Sequence, residues 1–310
     1  MAFPQAASMP LRTLRKQLSS ARAASASYST ATSSSRTVPL AFDHHVPPAG
    51  KETHSPTSSP ILFMHGLFGS RKNNRSVSKV LAQHLGRHVY TLDLRNHGES
   101  PHDPAHNYAA MSDDVAEFIA ARGLQDPTLI GHSMGAKVAM VLALSQPDLI
   151  RDIVPVDNAP LDAALGSDFG KYVQAMKRIE EAGCTKQSEA DRILAEYEKE
   201  LPIRQFLLGN LHRPQGEARQ KFRVPLGIIS RELDNMGDFP FRDPDKVRFE
   251  KPALFVRGTR SKYIPDEAIP LIGRFFPRFQ MADIDAGHWV ISEKPEPFLK
   301  AVIEFLGPKE

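Results

Sequence analysis

From Pro60 onward the chain alternates short apolar runs with amphipathic stretches. The runs Ile61–Met64, Val89–Leu94, Thr128–Ile130, Ile153–Val156, Ala253–Val256 and Met281–Ile284 read as buried strands, because three to six largely apolar residues without strict alternation suit a strand covered on both faces. Between them, Asn74–Leu85, Met111–Arg122 and Gly135–Ser145 carry apolar residues at helical spacing. Strands alternating with helices predict an α/β fold: a mostly parallel central sheet with helices on both faces.

The rhythm breaks between Leu161 and Glu250 and resumes at Lys251. Helices are expected at Tyr172–Ala182 and Ser188–Leu201, with a mixed stretch at Pro202–Leu211 and loop-rich sequence near Leu226–Ile229. The expected organisation is therefore a core from residues 43–160 and 251–310, with residues 161–250 inserted as a helical cap. Val38–Phe42 is an apolar patch that reads as the remnant of a first strand, and no internal repeat is found.

Charge changes the picture only at the N-terminus. The formal net charge is +3, yet Arg12, Arg15, Lys16, Arg22 and Arg36 fall within residues 1–42 and no acid does, so the remainder is slightly acidic. This leaves no footprint for a nucleic-acid partner. Residues 1–42 are rich in Ser and Ala, and Leu11, Leu14 and Leu18 recur at helical spacing among the basic residues. That is the composition of a mitochondrial transit peptide, expected to be cleaved; a secretory signal would need an unbroken apolar segment. The competing reading is a Ser/Ala tail with no address, too polar to build a core. The richest apolar run, Val138–Leu144, is far short of a transmembrane span, so a soluble protein is expected. With Cys184 alone, no intrachain disulfide or cysteine metal cluster can form, which suits a reducing interior such as the mitochondrial matrix. No cofactor or metal is expected, and the oligomeric state is left open.

The chemistry concentrates at Thr128-Leu-Ile-Gly131-His132-Ser133-Met134-Gly135, an apolar strand running through G-x-S-x-G into a helix. This is the pattern of a nucleophile elbow, in which small residues flank a serine thrust out above the sheet. A serine hydroxyl needs a base, and the order of such triads places a histidine near the chain's end. His288 fits, in the loop Asp285-Ala-Gly-His288-Trp289 after the last expected strand. The supporting acid has alternatives. Asp157 ends the run Ile153–Val156 and is followed by Asn158-Ala-Pro160, which places it at the sheet's carboxyl edge. Asp266 and Glu267 lie beyond Ala253–Val256, in a loop where Lys262 occupies the usual acid position; Asp285 reads as a cap of its own loop. Asp157 is favoured. Oxyanion donors are expected from Met134 N–H and from Leu67 or Phe68 in the loop His65-Gly-Leu-Phe-Gly-Ser70. His65, His132 and Trp289, beside these residues, are candidate substrate contacts.

These motifs together resemble the α/β-hydrolase-domain-11-like family, which includes YbfF-type esterases and fungal mitochondrial ethanol acetyltransferases. The carrying residues are His65-Gly-Leu-Phe-Gly-Ser70 with Asn73-Asn74-Arg75, Asp93-Leu-Arg-Asn-His-Gly-Glu-Ser100, Gly131-His-Ser-Met-Gly135, Val156-Asp-Asn-Ala-Pro160 and Gly287-His-Trp289. The resemblance runs from about Pro60 to the C-terminus. It implies an α/β-hydrolase fold with a helical cap, an acid at Asp157, cleavage of small esters or thioesters and, in the fungal branch, acetyl transfer from acetyl-CoA to an alcohol. Ala136 departs from the third glycine of many relatives, a change the elbow should tolerate. Dehalogenases and epoxide hydrolases share the fold but use a carboxylate nucleophile, against which Ser133 argues. The remaining alternative is a catalytically silent module that binds a mitochondrial partner.

Overall fold

The computed structural model describes residues 36–53, 55, 57–163 and 167–307. Most of the expected transit peptide, residues 1–35, lies outside the described residues. A seven-stranded sheet is built from β1 (Phe42–His45), β2 (Ile61–Met64), β3 (Val89–Leu92), β4 (Thr128–His132), β5 (Asp152–Val156), β8 (Ala253–Gly258) and β9 (Phe279–Ile284), in the order β1-β3-β2-β4-β5-β8-β9. Only β1 runs antiparallel, against β3. Each apolar strand run has its physical reason in the two faces it covers. Ile61 and Phe63 pack beneath α1 (Arg75–Leu85) and α10 (Pro295–Leu306), in one core with Leu81, Phe298 and Val302. Leu62 and Met64 point the other way, towards α2 (Tyr108–Ala121) and α3 (Met134–Ser145), in a core with Val115, Val138 and Leu142. With both faces of β2 dry, no position there is left for a solvated side chain. The run Met281–Ile284 departs from the buried strand expected of it, because β9 is an edge of the sheet: Met281 and Ala282 are half-buried and Asp283 is exposed.

The N-terminal boundary expected at residue 42 moves. Val38 and Leu40 are buried at 6% exposure each, and Val38 N–H donates to the buried Asp114 carboxylate at 2.8 Å. The folded part therefore begins ahead of Val38, and the apolar patch there is packed structure leading into β1. Asp114 is already held by Arg95 through two bonds of 2.6 and 2.7 Å, so the entering backbone completes a buried ion pair.

The insertion between β5 and β8 contains α4 (Ser167–Glu181), α5 (Gln187–Leu194), α6 (Leu201–Leu208), the two-stranded pair β6 (Leu211–His212) and β7 (Lys221–Phe222), and α7 (Leu226–Glu232). It differs from the expected pattern in two places. The single helix expected over Ser188–Leu201 ends at Leu194 and a new one starts at Leu201, because Pro202 fits a helix's first turn, where its missing N–H has no partner to lose. The loop-rich stretch at Leu226–Ile229 is helical. Two buried polar side chains tie the insertion to the core: Lys137 on α3 donates to the carbonyls of Gly237 and Asp238 at 2.7 and 2.9 Å, and Asn210 donates to Phe68 O at 2.6 Å. After the insertion come α8 (Ile269–Phe275), β9 and the short α9 (Val290–Glu293) that precedes α10. Among the described residues, no helix is long and apolar enough to cross a membrane.

Candidate active site

Strand register brings the chemistry together. β2 lies between β3 and β4, so the chain leaves it first to one side and later to the other, and this reversal opens a crevice at the carboxyl edge. Met64 pairs with Gly131 and His132 with Val156, so the first residues beyond β2, β4 and β5 emerge side by side. Ser133 N–H donates to Val156 O at 2.9 Å, and Asp157 N–H donates to Val256 O at 2.8 Å. The sheet's own hydrogen bonding thus fixes the spacing between nucleophile and acid.

Ser133 sits at φ 53°, ψ −111°, a strained conformation for a residue with a side chain. The strain persists because the flanking positions admit nothing larger than hydrogen. A Cβ on Gly131 would lie 2.1 Å from Gly135 O, and one on Gly135 would lie 2.7 Å from Met64 O. The elbow is consequently pressed against the end of β2, with α3 directing its positive N-terminal end at the space above Ser133.

His288 bridges Ser133 and Asp157. Its Nε2 lies 3.0 Å from Ser133 Oγ, and its Nδ1 lies 2.7 Å from Asp157 Oδ2. Because a carboxylate only accepts, Nδ1 carries the proton and Nε2 presents its lone pair to the serine hydroxyl. Asp157 is fully buried at φ 52° and takes two further bonds, from Gly258 N–H at 3.1 Å to Oδ1 and from Ser261 Oγ at 2.5 Å to Oδ2. Tyr263 stacks on the imidazole with ring centroids 3.9 Å apart. The other acids considered are elsewhere: Asp266 pairs with Arg257 on the surface, and Asp285 with Arg260, whose side chain ties it down in place of the expected loop cap. Glu267 is exposed.

The oxyanion loop lies against the elbow, since a Cβ on Gly66 would come within 3.3 Å of Ser133 Cβ. Of the two expected donors on this loop, Phe68 is excluded. Its N–H donates to His97 Nε2 at 3.2 Å, and its φ of 63° turns the chain there. Among the described residues, the N–H groups of Leu67 and Met134 have no hydrogen-bond partner.

The three candidate substrate contacts divide. His65 is a strut: Nδ1–H donates to Gly66 O at 2.8 Å and Nε2 accepts from Leu94 N–H at 3.0 Å, which joins the loops after β2 and β3. Burial lowers its pKa to about 4, and does the same to His97, to about 3. His132 donates from Nε2 to His288 O at 2.7 Å; burial, then the neighbouring His288, lowers its pKa to about 4. Trp289 packs against Phe206 of α6, with ring centroids 4.6 Å apart. Ser261, Tyr263 and Asn210 are site residues that sequence reasoning did not single out, and His97 entered only as part of the motif Asp93–Ser100, without a role. Ser261 and Tyr263 had one usable signal, their place in the loop after β8, where a serine stands one residue before Lys262.

A serine, histidine and aspartate in this geometry, on a parallel sheet with a cap inserted after β5, define an α/β-hydrolase architecture. The family model for the alpha/beta hydrolase fold matches residues 59–181. The chain is 42% identical to a probable alcohol acetyltransferase of Saccharomyces cerevisiae, over 80% of this chain and 77% of that one. It is 41% identical to the sn-1-specific diacylglycerol lipase ABHD11 of Danio rerio, over 81% of this chain and 79% of that one. The solved structure of a marine microorganism esterase superposes with a TM-score of 0.78 at 30% identity, covering 87% of this chain and all of that one. The chain belongs to the α/β-hydrolase-domain-11-like family.

Proposed function

We propose that this protein is a serine-nucleophile acyl hydrolase and acyltransferase that works through an acyl-enzyme on Ser133. The observation that carries the reading is the continuous chain from Ser133 Oγ through His288 to the buried carboxylate of Asp157, with bonds of 3.0 and 2.7 Å. As Ser133 Oγ attacks the carbonyl carbon of an ester or thioester, its proton passes to His288 Nε2. The N–H groups of Leu67 and Met134 receive the developing oxyanion, and Asp157 stabilises the imidazolium. Collapse expels the alcohol or thiol, which takes the proton from His288. Water or a second alcohol then releases the acyl group by the reverse path. The names of the relatives, an alcohol acetyltransferase and a diacylglycerol lipase, support an acyl substrate and leave either acceptor open. Acetyl-CoA is the acyl donor such a transferase would use.

Labelling with a fluorophosphonate tests the reading. The folded protein should form an adduct on Ser133 that Ser133→Ala abolishes, and absence of the adduct would reject a serine enzyme. Asp157→Asn should slow ester turnover by about 10³-fold or more, as expected for loss of a triad acid. Asp266→Asn should change it little; the opposite ranking would reassign the acid. The basic, acid-free composition of residues 1–42 supports a mitochondrial address. Import into isolated mitochondria should require residues 1–35, and equal import without them would discard that address.

A further inference from the structure

Beside the triad lies a cavity of about 280 Å³ whose walls include Gly66, Asn74, Val77, His132, Phe206 and Trp289. Three of these are chain neighbours of the reacting groups: Gly66 precedes Leu67, His132 precedes Ser133 and Trp289 follows His288. Gly66 packs directly against the nucleophile's own backbone, since a methyl group placed there would lie 3.1 Å from His132 Nδ1 and 3.3 Å from Ser133 Cβ. On the cap side the cavity is bounded by Phe206.

Two polar groups in this wall have no partner among the described residues. Asn74 is only 5% exposed, and although it stands at the N-cap of α1 its side chain makes no capping bond. An asparagine in that position ordinarily caps, because the first turn offers it free N–H donors. The second group is His132 Nδ1. Since Nε2 donates its proton to His288 O, and burial keeps the ring neutral, Nδ1 is a bare acceptor. A nearly buried amide that satisfies nothing in its own fold is costly unless something else bonds to it.

We propose that this cavity binds the alcohol half of the ester, leaving group and acceptor alike, with the alcohol oxygen held between the Asn74 amide and His132 Nδ1. The inference rests on the acyl-enzyme reading above and adds where the acceptor enters. A hydroxyl matches the wall because it donates one hydrogen bond, to Nδ1, and accepts another, from the amide. An acyl chain has nothing to offer these groups, since its one polar atom, the carbonyl oxygen, belongs in the oxyanion site. Val77, Phe206 and Trp289 suit a short apolar body, and the volume lies just below that of drug-sized pockets. In the transfer step the hydroxyl turns its proton from His132 Nδ1 to His288 Nε2, the two rings standing with centroids 5.0 Å apart, and gives it up there as the alcohol oxygen bonds to the acyl carbon. The bond from that carbon to Ser133 Oγ then breaks, and Ser133 recovers the proton.

The test uses p-nitrophenyl acetate as donor and butan-1-ol as the probe acceptor, reading the ratio of butyl acetate to acetate. The ratio should rise with butan-1-ol and saturate, and Asn74→Ala should lower it about tenfold, the size of one lost hydrogen bond. A ratio that rises without saturation, or is equal in the two proteins, overturns the proposal. Binding is read separately in Ser133→Ala by titrating butan-1-ol against the Asn74 side-chain amide in a ¹H–¹⁵N spectrum. A saturable shift supports the site and a silent amide overturns it, whatever the turnover. If that shift occurs while the wild-type protein releases no p-nitrophenol, the acyl-enzyme reading fails and the cavity assignment stands.

Discussion

Ser261 Oγ donates to Asp157 Oδ2, the oxygen that also accepts from His288 Nδ1. The hydroxyl and the imidazole thus hold one carboxylate oxygen from two sides while Gly258 N–H holds the other. Ser261 touches no reacting atom, so its effect must run through the orientation of Asp157. Ser261→Ala should lower kcat by about tenfold with KM nearly unchanged, the cost of one hydrogen bond to a charged group. Ser261→Thr should restore most of it. A matching rise in KM would show that the loop after β8 shapes substrate binding instead.

The glycines of the elbow and of the oxyanion loop should differ in what they tolerate. At Gly135 an added Cβ meets backbone oxygens at 2.7 and 2.8 Å, from Met64 and His65, and backbone cannot turn aside. At Gly66 the nearest contact is a ring nitrogen at 3.1 Å, which a small shift relieves. Gly135→Ala should cost about 100-fold or more in kcat/KM, because a displaced donor is worth that much. Gly66→Ala should cost clearly less. Equal losses in steady-state assays would count against close approach as the reason for the second glycine of G-x-S-x-G.

Much of this site was legible because its parts stand at the ends of strands. Ser133, Asp157 and Leu67 each follow an apolar run, and a parallel sheet gathers such ends at one edge. His288 was legible through chain order. The rest depends on contacts between distant segments. Nothing local in Ser261 says that its hydroxyl meets a carboxylate 104 residues away, and nothing in Phe68 says that His97 engages its N–H. Asn74 stands in the sequence as the first residue of an expected helix, and only the structure places it at the N-cap with no capping bond. Helix limits in the cap were blurred for a different reason. The apolar residues of Ser188–Leu208 keep helical spacing across the break before Leu201, so periodicity alone could not place it.

Where the folded part begins can be tested by shortening the chain. The reference is the chain shortened to begin at Arg36, the first described residue. Removal of residues 1–42 takes away the buried Val38 and Leu40 and leaves Asp114 without the Val38 N–H. Loss of two buried aliphatic side chains should cost about 3–6 kcal/mol, seen as a lower urea midpoint. If both shortened chains unfold at the same midpoint, residues 36–42 contribute nothing to the core.

Stability should fall on mild acidification because buried histidines are held neutral, four of them strongly. Burial lowers the pKa of His65 and His132 to about 4 and of His97 and His106 to about 3, against 6.5 for a free imidazole. Between pH 6.5 and 4 the unfolded chain therefore binds protons that the folded chain refuses. The stabilisation is fully present above pH 6.5 and is lost as the pH falls towards 4, by about 1.4 kcal/mol per pH unit for each ring that stays neutral. Burial of Asp114 and Asp152 raises their pKa and acts in the opposite sense, but these four imidazoles, with the buried His45 and His88 shifted the same way, outnumber the two carboxylates and leave a net loss. Urea midpoints at pH 7, 6 and 5 check this. A fall that steepens below pH 6 is expected, and a flat profile would mean that these rings take up protons inside the fold. That outcome would also undo the struts, because a protonated His65 cannot accept from Leu94 N–H, nor a protonated His97 from Phe68 N–H.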